Sequence, residues 1–186
     1  EGKGTEIPSR DRRAYHRANK IAVMNYWVYF YQNPVIDPAD LVIMDDAHLA
    51  EHCFNSLWSV EISNIEHQLL FSNIVKELYS RFPEYRVLSE SSIGGNDPTI
   101  PTELLSFIDQ YKFRDRFQEL IETSQYYKSD FDLKYRWLRV KSFYDESNIY
   151  ISTNSIWLRP YIYPLMNSEY FSSTDQRILL SATIGD

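Results

Sequence analysis

The sequence predicts an α/β protein in which strands of a parallel sheet flank a largely helical middle segment. The apolar run 41–44 is continuous rather than alternating, which is typical of parallel strands buried on both faces, and the segment Arg177-Ile178-Leu179-Leu180 is a further candidate for a buried strand. Between them, over residues 64–143, apolar side chains recur at helical spacing. The 186 residues are enough for one ordinary domain.

Four segments before the acidic residues at 45–46 have predictable structure. Residues 1–17 are polar and rich in arginine, and we expect a loop that runs into a short helix. The apolar run 21–24 predicts a buried strand, and the aromatic stretch 25–32 predicts a helix. The run 41–44 predicts the next buried strand, which ends at the acidic pair.

The middle of the chain is predicted to be helical. Residues 64–82 have apolar side chains four apart and stop before a proline, and residues 102–124 indicate one or two amphipathic helices. The glycine-containing stretch 91–101 is predicted to be a loop. A further helix is expected over 131–143, with Phe131, Tyr135 and Leu138 on one face.

The pattern changes to strands after residue 145. Two short apolar runs, 149–151 and 156–158, flank a Thr-Asn turn and predict a β-hairpin. The run 177–180 predicts the last buried strand, which leads into Ser181-Ala182-Thr183.

Composition excludes several classes of protein. Hydrophobic residues make up 44% of the chain, which is enough for a core, and the net charge of −7 argues against a nucleic-acid-binding coat over the whole surface but leaves a local basic patch open. Cys53 is the single cysteine, so a disulfide framework, a four-cysteine zinc site and a cysteine-ligated iron–sulphur cluster are excluded within this chain. A single reduced thiol predicts a cytoplasmic location, and no apolar run reaches the roughly 20 residues of a membrane span.

The string Leu41-Val-Ile-Met-Asp45-Asp46-Ala-His48 is the most informative in the chain. It brings two carboxylates to the carboxyl end of a strand, where open α/β sheets place ligands. The first carboxylate suits a Mg²⁺ ion held through water, and the second suits a water that attacks a phosphate. The alternative is a solvated strand end at which Asp46 is the N-cap of the next helix.

A second string, from Gln176 to Thr183, is again an apolar strand followed by a small polar turn. In this order, the two strings resemble superfamily 2 helicases of the DEAD/DEAH kind. Asp45-Asp46-Ala47-His48 matches their Walker B motif, and Ser181-Ala182-Thr183 matches their motif III. The segments 18–26 and 57–63, and the long stretch between the two motifs, are similar to the XPD/DinG-like branch.

The resemblance implies part of a RecA-like parallel-sheet domain with a largely helical, Arch-like insertion between Walker B and motif III. It divides the chain into three parts. Residues 1–48 would be a partial RecA-like domain with the Walker B strand, and residues 49–145 the helical insertion. Residues 146–186 would hold the β-hairpin and the return to the RecA-like core with motif III.

The function implied is that of an ATP-dependent nucleic-acid helicase or translocase, with ATP and Mg²⁺ as cofactors. Asp45 would hold Mg²⁺ through water and Asp46 would serve the attacking water. His48 would link the nucleotide to motif III, where Ser181 and Thr183 would relay nucleotide state to strand contact. The implied partner is a single-stranded or duplex nucleic acid, with DNA favoured over RNA.

The chain departs from the family pattern in two ways. Asp46 stands where these helicases have glutamate, so a non-catalytic interaction module with a degenerate helicase core is a second hypothesis. No Walker A string is present, and Gly2-Lys3-Gly4-Thr5 lacks its frame. We therefore expect this chain to be an internal part of a longer protein whose Walker A segment and second RecA-like domain lie elsewhere.

A third hypothesis is a zinc-dependent hydrolase. His48-Leu49-Ala50-Glu51-His52 fits the pattern H-x-x-E-H, which places two histidines on one face of a helix. Glu119 or Glu122 could be a third ligand. The simpler expectation is that His52 has an ordinary structural role.

Cationic and aromatic residues suggest where a nucleic acid could bind. The candidates are Asn25, the first residue of the aromatic stretch 25–32, and Lys134, Arg136, Trp137 and Arg139, which lie together in the helix predicted over 131–143. The alternative is a solvated helix whose aromatic rings pack inward. Four arginines in the segment 10–17 form a second basic stretch.

Overall fold

The structure is a computed structural model that describes residues 9–30, 36–92, 97, 99–162 and 168–181. It is a mixed α/β structure, as the sequence predicts at this level, and 54% of the described residues are in helices and 16% in strands. The chain divides into two compact units, one formed by Glu1–Leu57 with Pro164–Asp186 and the other by Trp58–Tyr163. None of the described helices has the length and apolar character that crossing a membrane requires.

The first unit has four helices and two strands among its described residues. These are α1 (Ser9–His16), α2 (Tyr26–Tyr29), β1 (Leu41–Met44), α3 (Ala47–Leu57), α9 (Glu169–Ser172) and β6 (Gln176–Leu179). Strands β1 and β6 form a parallel pair in which Val42 faces Arg177 and Ile43 faces Ile178. The strands predicted at 41–44 and near 177–180 are therefore confirmed, and they are neighbours.

The predicted burial of these strands is wrong for most of their side chains. Met44 is buried, but Leu41, Ile43 and Ile178 are exposed, Ile43 by 59%. Parallel sheets are usually covered on both faces by other elements, and two strands alone present little surface for such packing. Continuous apolar sequence thus predicted the strands correctly without predicting what covers them.

The strand predicted at 21–24 is not observed. The segment is without regular secondary structure, and Ile21 and Val23 are 93% and 96% exposed. A strand requires a partner for its backbone hydrogen bonds, and an apolar run does not by itself specify one. The helix predicted over 25–32 is observed only as the single turn α2, and residues 31–32 lie outside the described part of the chain.

The second unit places helices against an antiparallel sheet. Its elements are β2 (Val60–Ser63), α4 (Gln68–Arg81), α5 (Arg86–Ser92), β3 (Glu103–Leu104), α6 (Phe107–Thr123), α7 (Gln125–Ser129), α8 (Phe131–Val140), a 3₁₀ segment (Lys141–Glu146), β4 (Ser147–Ile151) and β5 (Ser155–Pro160). The sheet order is β2-β5-β4-β3, and the predicted hairpin is confirmed as β4–β5. This hairpin lies in the second unit, whereas the sequence-based division grouped it with 146–186.

Predicted helices in this unit are present but shorter. The helix expected over 64–82 begins at Gln68, and the one expected over 102–124 begins at Phe107 because Glu103–Leu104 forms the edge strand β3. The helix expected over 131–143 ends at Val140, where the 3₁₀ segment starts.

The buried face of α8 is not the face that carries Phe131, Tyr135 and Leu138. All three of those side chains are exposed, Phe131 by 86%. The core instead receives Leu133, Trp137 and Val140 from this helix. Both sets have helical spacing, so periodicity alone does not distinguish them. The observed rotation buries the large indole ring of Trp137 and gives its N–H a hydrogen-bond partner in Glu122.

Candidate functional site

Strands β1 and β6 stay paired up to the two motifs that follow them. The backbone N–H of Leu180 donates to the carbonyl of Met44 at 2.8 Å, and the N–H of Ala47 donates to the carbonyl of Leu180 at 2.9 Å. Because the strands are parallel, their carboxyl ends lie at the same edge of the sheet. The Asp-Asp-Ala-His and Ser181 segments, predicted to act together, therefore lie side by side.

A side-chain hydrogen bond joins the two motifs. Ser181 Oγ lies 2.8 Å from Nδ1 of His48, which is in the first turn of α3. The two residues are 133 positions apart in sequence, so the contact depends on the pairing of β1 with β6. The side chain of His48 is exposed and that of Ser181 is partly exposed.

Asp46 has an unusual backbone conformation. Its φ is positive. This is the left-handed region that few residues other than glycine adopt, and in which Asp and Asn are enriched. The carbonyl of Asp46 accepts the N–H of Leu49 at 2.9 Å, as the residue before a helix does. This conformation disfavours the longer glutamate side chain, which is a physical reason for aspartate at this position.

The N-cap alternative for Asp46 is not what the structure shows. A capping residue has an extended backbone, and its side chain accepts a hydrogen bond from the first helical turn. Asp46 has the left-handed backbone instead. Among the described residues, its carboxylate has no hydrogen bond to the first turn of α3, and it is exposed. The carboxylate is thus available to water or to a ligand.

Tyr26 is a neighbour of the acidic pair that sequence reasoning missed. Its hydroxyl donates a hydrogen bond to the backbone carbonyl of Asp45. Burial, and after it the negative charges of Asp45 and Asp46, raises the pKa of Tyr26, so the phenol keeps its proton as a donor. No local pattern signals this contact, because 19 residues separate the two partners.

The two carboxylates fit a magnesium ion that keeps much of its water shell. Mg²⁺ prefers oxygen ligands and is commonly bound by one or two carboxylates together with phosphate oxygens of a substrate. Asp45 and Asp46 supply two such carboxylates at an exposed strand end. No group of three or more His, Cys, Asp or Glu residues that could hold a metal occurs in the part of the chain that the structure describes.

The remaining predicted residues of this region have separate positions. Thr183, the last residue of the Ser-Ala-Thr string, lies outside the described residues. Asn25 is exposed, and its Oδ1 accepts the N–H of Val28 at 2.9 Å, so it caps α2. This structural role accounts for Asn25 without a nucleic acid.

Two of the predicted nucleic-acid residues on α8 are buried, which corrects the sequence hypothesis for them. Trp137 is completely buried, and its Nε1–H donates to a carboxylate oxygen of Glu122 at 2.9 Å. Arg139 is also buried, with its guanidinium over the rings of Trp58 and Tyr135. Base stacking and phosphate binding both require an accessible group, which neither residue offers.

The other two residues on α8 remain at the surface. Lys134 is exposed, and its ammonium lies 5.6 Å from the centre of the Tyr127 ring. Arg136 is partly exposed and donates to Asp132 at 2.7 Å. The helix thus presents a mixed surface in which Arg136 is already paired with a carboxylate.

The proposed third zinc ligands have other partners. Glu119 accepts a hydrogen bond from Arg116 at 2.8 Å. Glu122 accepts from Trp137 and from Lys141, which together hold its pKa below the usual range. Both carboxylates are thus engaged in interactions within the second unit.

We expect purified protein to carry well under one equivalent of zinc. His52 is an exposed residue of α3. The His52→Ala substitution should therefore leave the metal content unchanged and alter the free energy of unfolding by no more than about 0.5 kcal/mol, as surface substitutions do. Elemental analysis and denaturant titration check both points. Stoichiometric zinc that is lost in this variant would instead favour the H-x-x-E-H hypothesis.

Comparison with protein-family models finds no match to this chain. Comparisons with curated proteins and with solved structures likewise find no significant match. The fold and the site define a mixed α/β protein with an acidic pair, a histidine and a serine at the carboxyl edge of two parallel strands.

Proposed function

We propose that this chain is the Walker B and motif III part of an ATP-dependent nucleic-acid helicase or translocase of superfamily 2, similar to the XPD/DinG-like branch. On this proposal the first unit is part of a RecA-like domain, and the second unit is the insertion between the two motifs. The single observation that carries the proposal is the contact between His48 and Ser181. The pairing of β1 with β6 brings together two motifs that are far apart in sequence.

The role of each residue follows from its chemistry and position. Asp45 would hold Mg²⁺ through water, and the ion would supply charge neutralisation on the phosphates of bound ATP. Asp46 would orient the attacking water and accept its proton. The hydrogen bond between His48 and Ser181 would transmit a change at the acidic pair to the strand that carries motif III.

The exposure of the carboxylates supports this assignment. Asp45 and Asp46 are solvent-exposed and lie directly after a strand, so a nucleotide phosphate can approach them without displacing the core. Tyr26 donates to the backbone carbonyl of Asp45 and thereby restrains the end of β1 without using its carboxylate. Both carboxylates therefore keep their oxygen atoms for water and ligand.

The 186 residues alone are expected to show no measurable ATP hydrolysis, even with Mg²⁺ and single-stranded DNA. Backbone N–H groups and a lysine of a phosphate-binding loop normally hold the β- and γ-phosphates, and no such string occurs in the sequence. A coupled assay for released phosphate checks this result.

The control for that assay is the Asp45→Ala variant, which should match the parental background. Steady hydrolysis by the parental chain that disappears in Asp45→Ala would contradict the expectation. It would also assign a phosphate-binding role to Gly2-Lys3-Gly4-Thr5, which lies outside the described residues.

The second candidate is a non-catalytic interaction module with a degenerate helicase core, and the aspartate at position 46 favours it. The two candidates differ in what the acidic pair does. In a protein that joins this chain to a phosphate-binding loop, a nucleotide-bound complex that forms but never turns over, with Asp46→Asn indistinguishable from the parent, would favour the module.

A further inference from the structure

The helix α1 carries a row of arginines that the proposed nucleotide site does not use. Arg10 and Arg13 lie in the helix, and Arg17 continues it because its N–H donates to the carbonyl of Arg13 at 3.3 Å. Residues three and seven positions apart fall on one side of a helix, within roughly 60°. The side chains of Arg10, Arg13 and Arg17 thus define one surface, which we call the arginine face.

The end of this helix is well defined, so the arginine face has a fixed length. The N–H of Ala18 donates to the carbonyl of Tyr15 at 2.8 Å, and the N–H of Asn19 donates to the carbonyl of Ala14 at 2.9 Å. This is the Schellman pattern, and Ala18 takes the left-handed conformation, with a positive φ, that the pattern requires. The three guanidinium groups are therefore spread over about 10 Å of helix.

The arginine face is exposed and has few counter-charges among the described residues. All three arginines are exposed, and none of them makes an ion pair with another described residue. The nearby acids have other partners instead. Asp11 bonds to Lys20, which lowers its pKa, with a smaller contribution from the charge of Arg10. Asp37 pairs with His16 at 2.9 Å. Within the described part of the chain, the positive charge of the arginine face is thus not neutralised by an ion pair.

The chemistry of the helix favours one class of partner. A helix that binds a membrane surface carries bulky apolar residues opposite its basic face. In α1 the largest side chain other than arginine is Tyr15, whose hydroxyl donates to the backbone carbonyl of Asp37 at 3.1 Å. Several guanidinium groups in a row suit a chain of phosphates, which they bind through paired hydrogen bonds.

We propose that the arginine face of α1 binds the phosphate backbone of a nucleic-acid strand. In a protein with a net charge of −7, this local concentration of arginines is the complement of a polyanion. The inference rests on the nucleic-acid partner of the proposed function but not on ATP hydrolysis. It places the contact on α1, in the first unit.

The test measures binding of a fluorescently labelled single-stranded DNA of about 20 nucleotides to the full chain without ATP, over a range of salt concentrations. The variant carries Arg10→Gln, Arg13→Gln and Arg17→Gln together. Because each phosphate contact to a single strand contributes about −0.7 to the slope of log affinity against log salt, we expect the slope to decrease by about 2. Affinity at low salt should decrease by about tenfold or more.

A matched control removes three exposed positive charges from the second unit. It carries Lys76→Gln, Lys112→Gln and Arg159→Gln, and it should lose much less affinity than the arginine variant. A second variant, in which lysine replaces each arginine of the arginine face, should keep most of the salt dependence, since the charges remain. Circular dichroism confirms that each variant is folded.

Two outcomes would overturn the inference. The first is an arginine variant that keeps the parental affinity and salt slope, which would place the contact elsewhere while leaving the proposed function open. The second is a parental chain that binds vesicles with anionic lipid through these arginines but does not bind the oligonucleotide, which would assign the surface to a membrane. Absence of ATP hydrolysis affects neither result.

Discussion

An Asp46→Asn substitution is expected to lower ATP turnover by about 10²-fold or more in a protein that joins this chain to a phosphate-binding loop. The amide keeps the size of the side chain, and asparagine tolerates the positive φ found at this position. The substitution removes the negative charge of the carboxylate and with it the ability to accept a proton from the attacking water. Steady-state kinetics with saturating ATP and nucleic acid measures the effect.

A comparison with the Asp45→Asn variant shows whether the loss of turnover is specific to Asp46. Nucleotide affinity should stay within a few-fold in Asp46→Asn, whereas Asp45→Asn should also weaken Mg²⁺-dependent nucleotide binding. The backbone carbonyl of Asp45, which accepts from Tyr26, is retained in the second variant, so the strand end should keep its position. Turnover at the parental rate in Asp46→Asn would remove the general-base role.

Replacing Trp137 by alanine is expected to lower the free energy of unfolding of the second unit by about 3–5 kcal/mol. The indole is completely buried among the core side chains that α6 and α8 contribute, and it packs edge-on against Phe117. Removal leaves a large cavity and breaks the hydrogen bond to Glu122, which keeps its bond to Lys141. Denaturant unfolding followed by far-ultraviolet circular dichroism measures the change.

Two further variants separate packing from surface effects. Phe131→Ala removes a large aromatic ring from the same helix, but Phe131 is exposed. The change in the free energy of unfolding should therefore stay within about 0.5 kcal/mol, the usual range for a surface substitution. Trp137→Phe keeps an aromatic ring while losing the hydrogen bond to Glu122, and its cost should be intermediate. Equal stability of Trp137→Ala and Phe131→Ala would contradict the buried position of the indole.

Local patterns predicted strands well where the structure supplies a partner. The apolar runs that became β1 and β6 were recognised, as was the hairpin β4–β5 around its short polar turn. The similar run at 21–24 was wrong, because no described strand pairs with it. An apolar run indicates that its side chains favour burial away from water. A strand also needs backbone hydrogen-bond partners, which lie far away in sequence.

The acidic pair and its neighbours also combine features that the sequence shows with features that only the structure shows. Asp45, Asp46 and His48 stand out in sequence because three polar residues closely follow an apolar strand, and the position of Ser181 after a second strand is equally visible. The hydrogen bond from Tyr26 to the strand end had no such signal. Neither did the left-handed backbone of Asp46, which depends on how the chain leaves β1 and enters α3.

What the sequence by itself determined is the mixed α/β class, the hairpin, the central helices and the two polar segments that follow parallel strands. Tertiary structure alone decided which face of α8 enters the core, because Leu133, Trp137 and Val140 have the same helical spacing as the exposed set. It also decided that Trp137 and Arg139 are buried structural residues, whereas Arg10, Arg13 and Arg17 are exposed. The physical reason is that periodicity and charge are local properties, whereas burial depends on the surface that a distant segment presents.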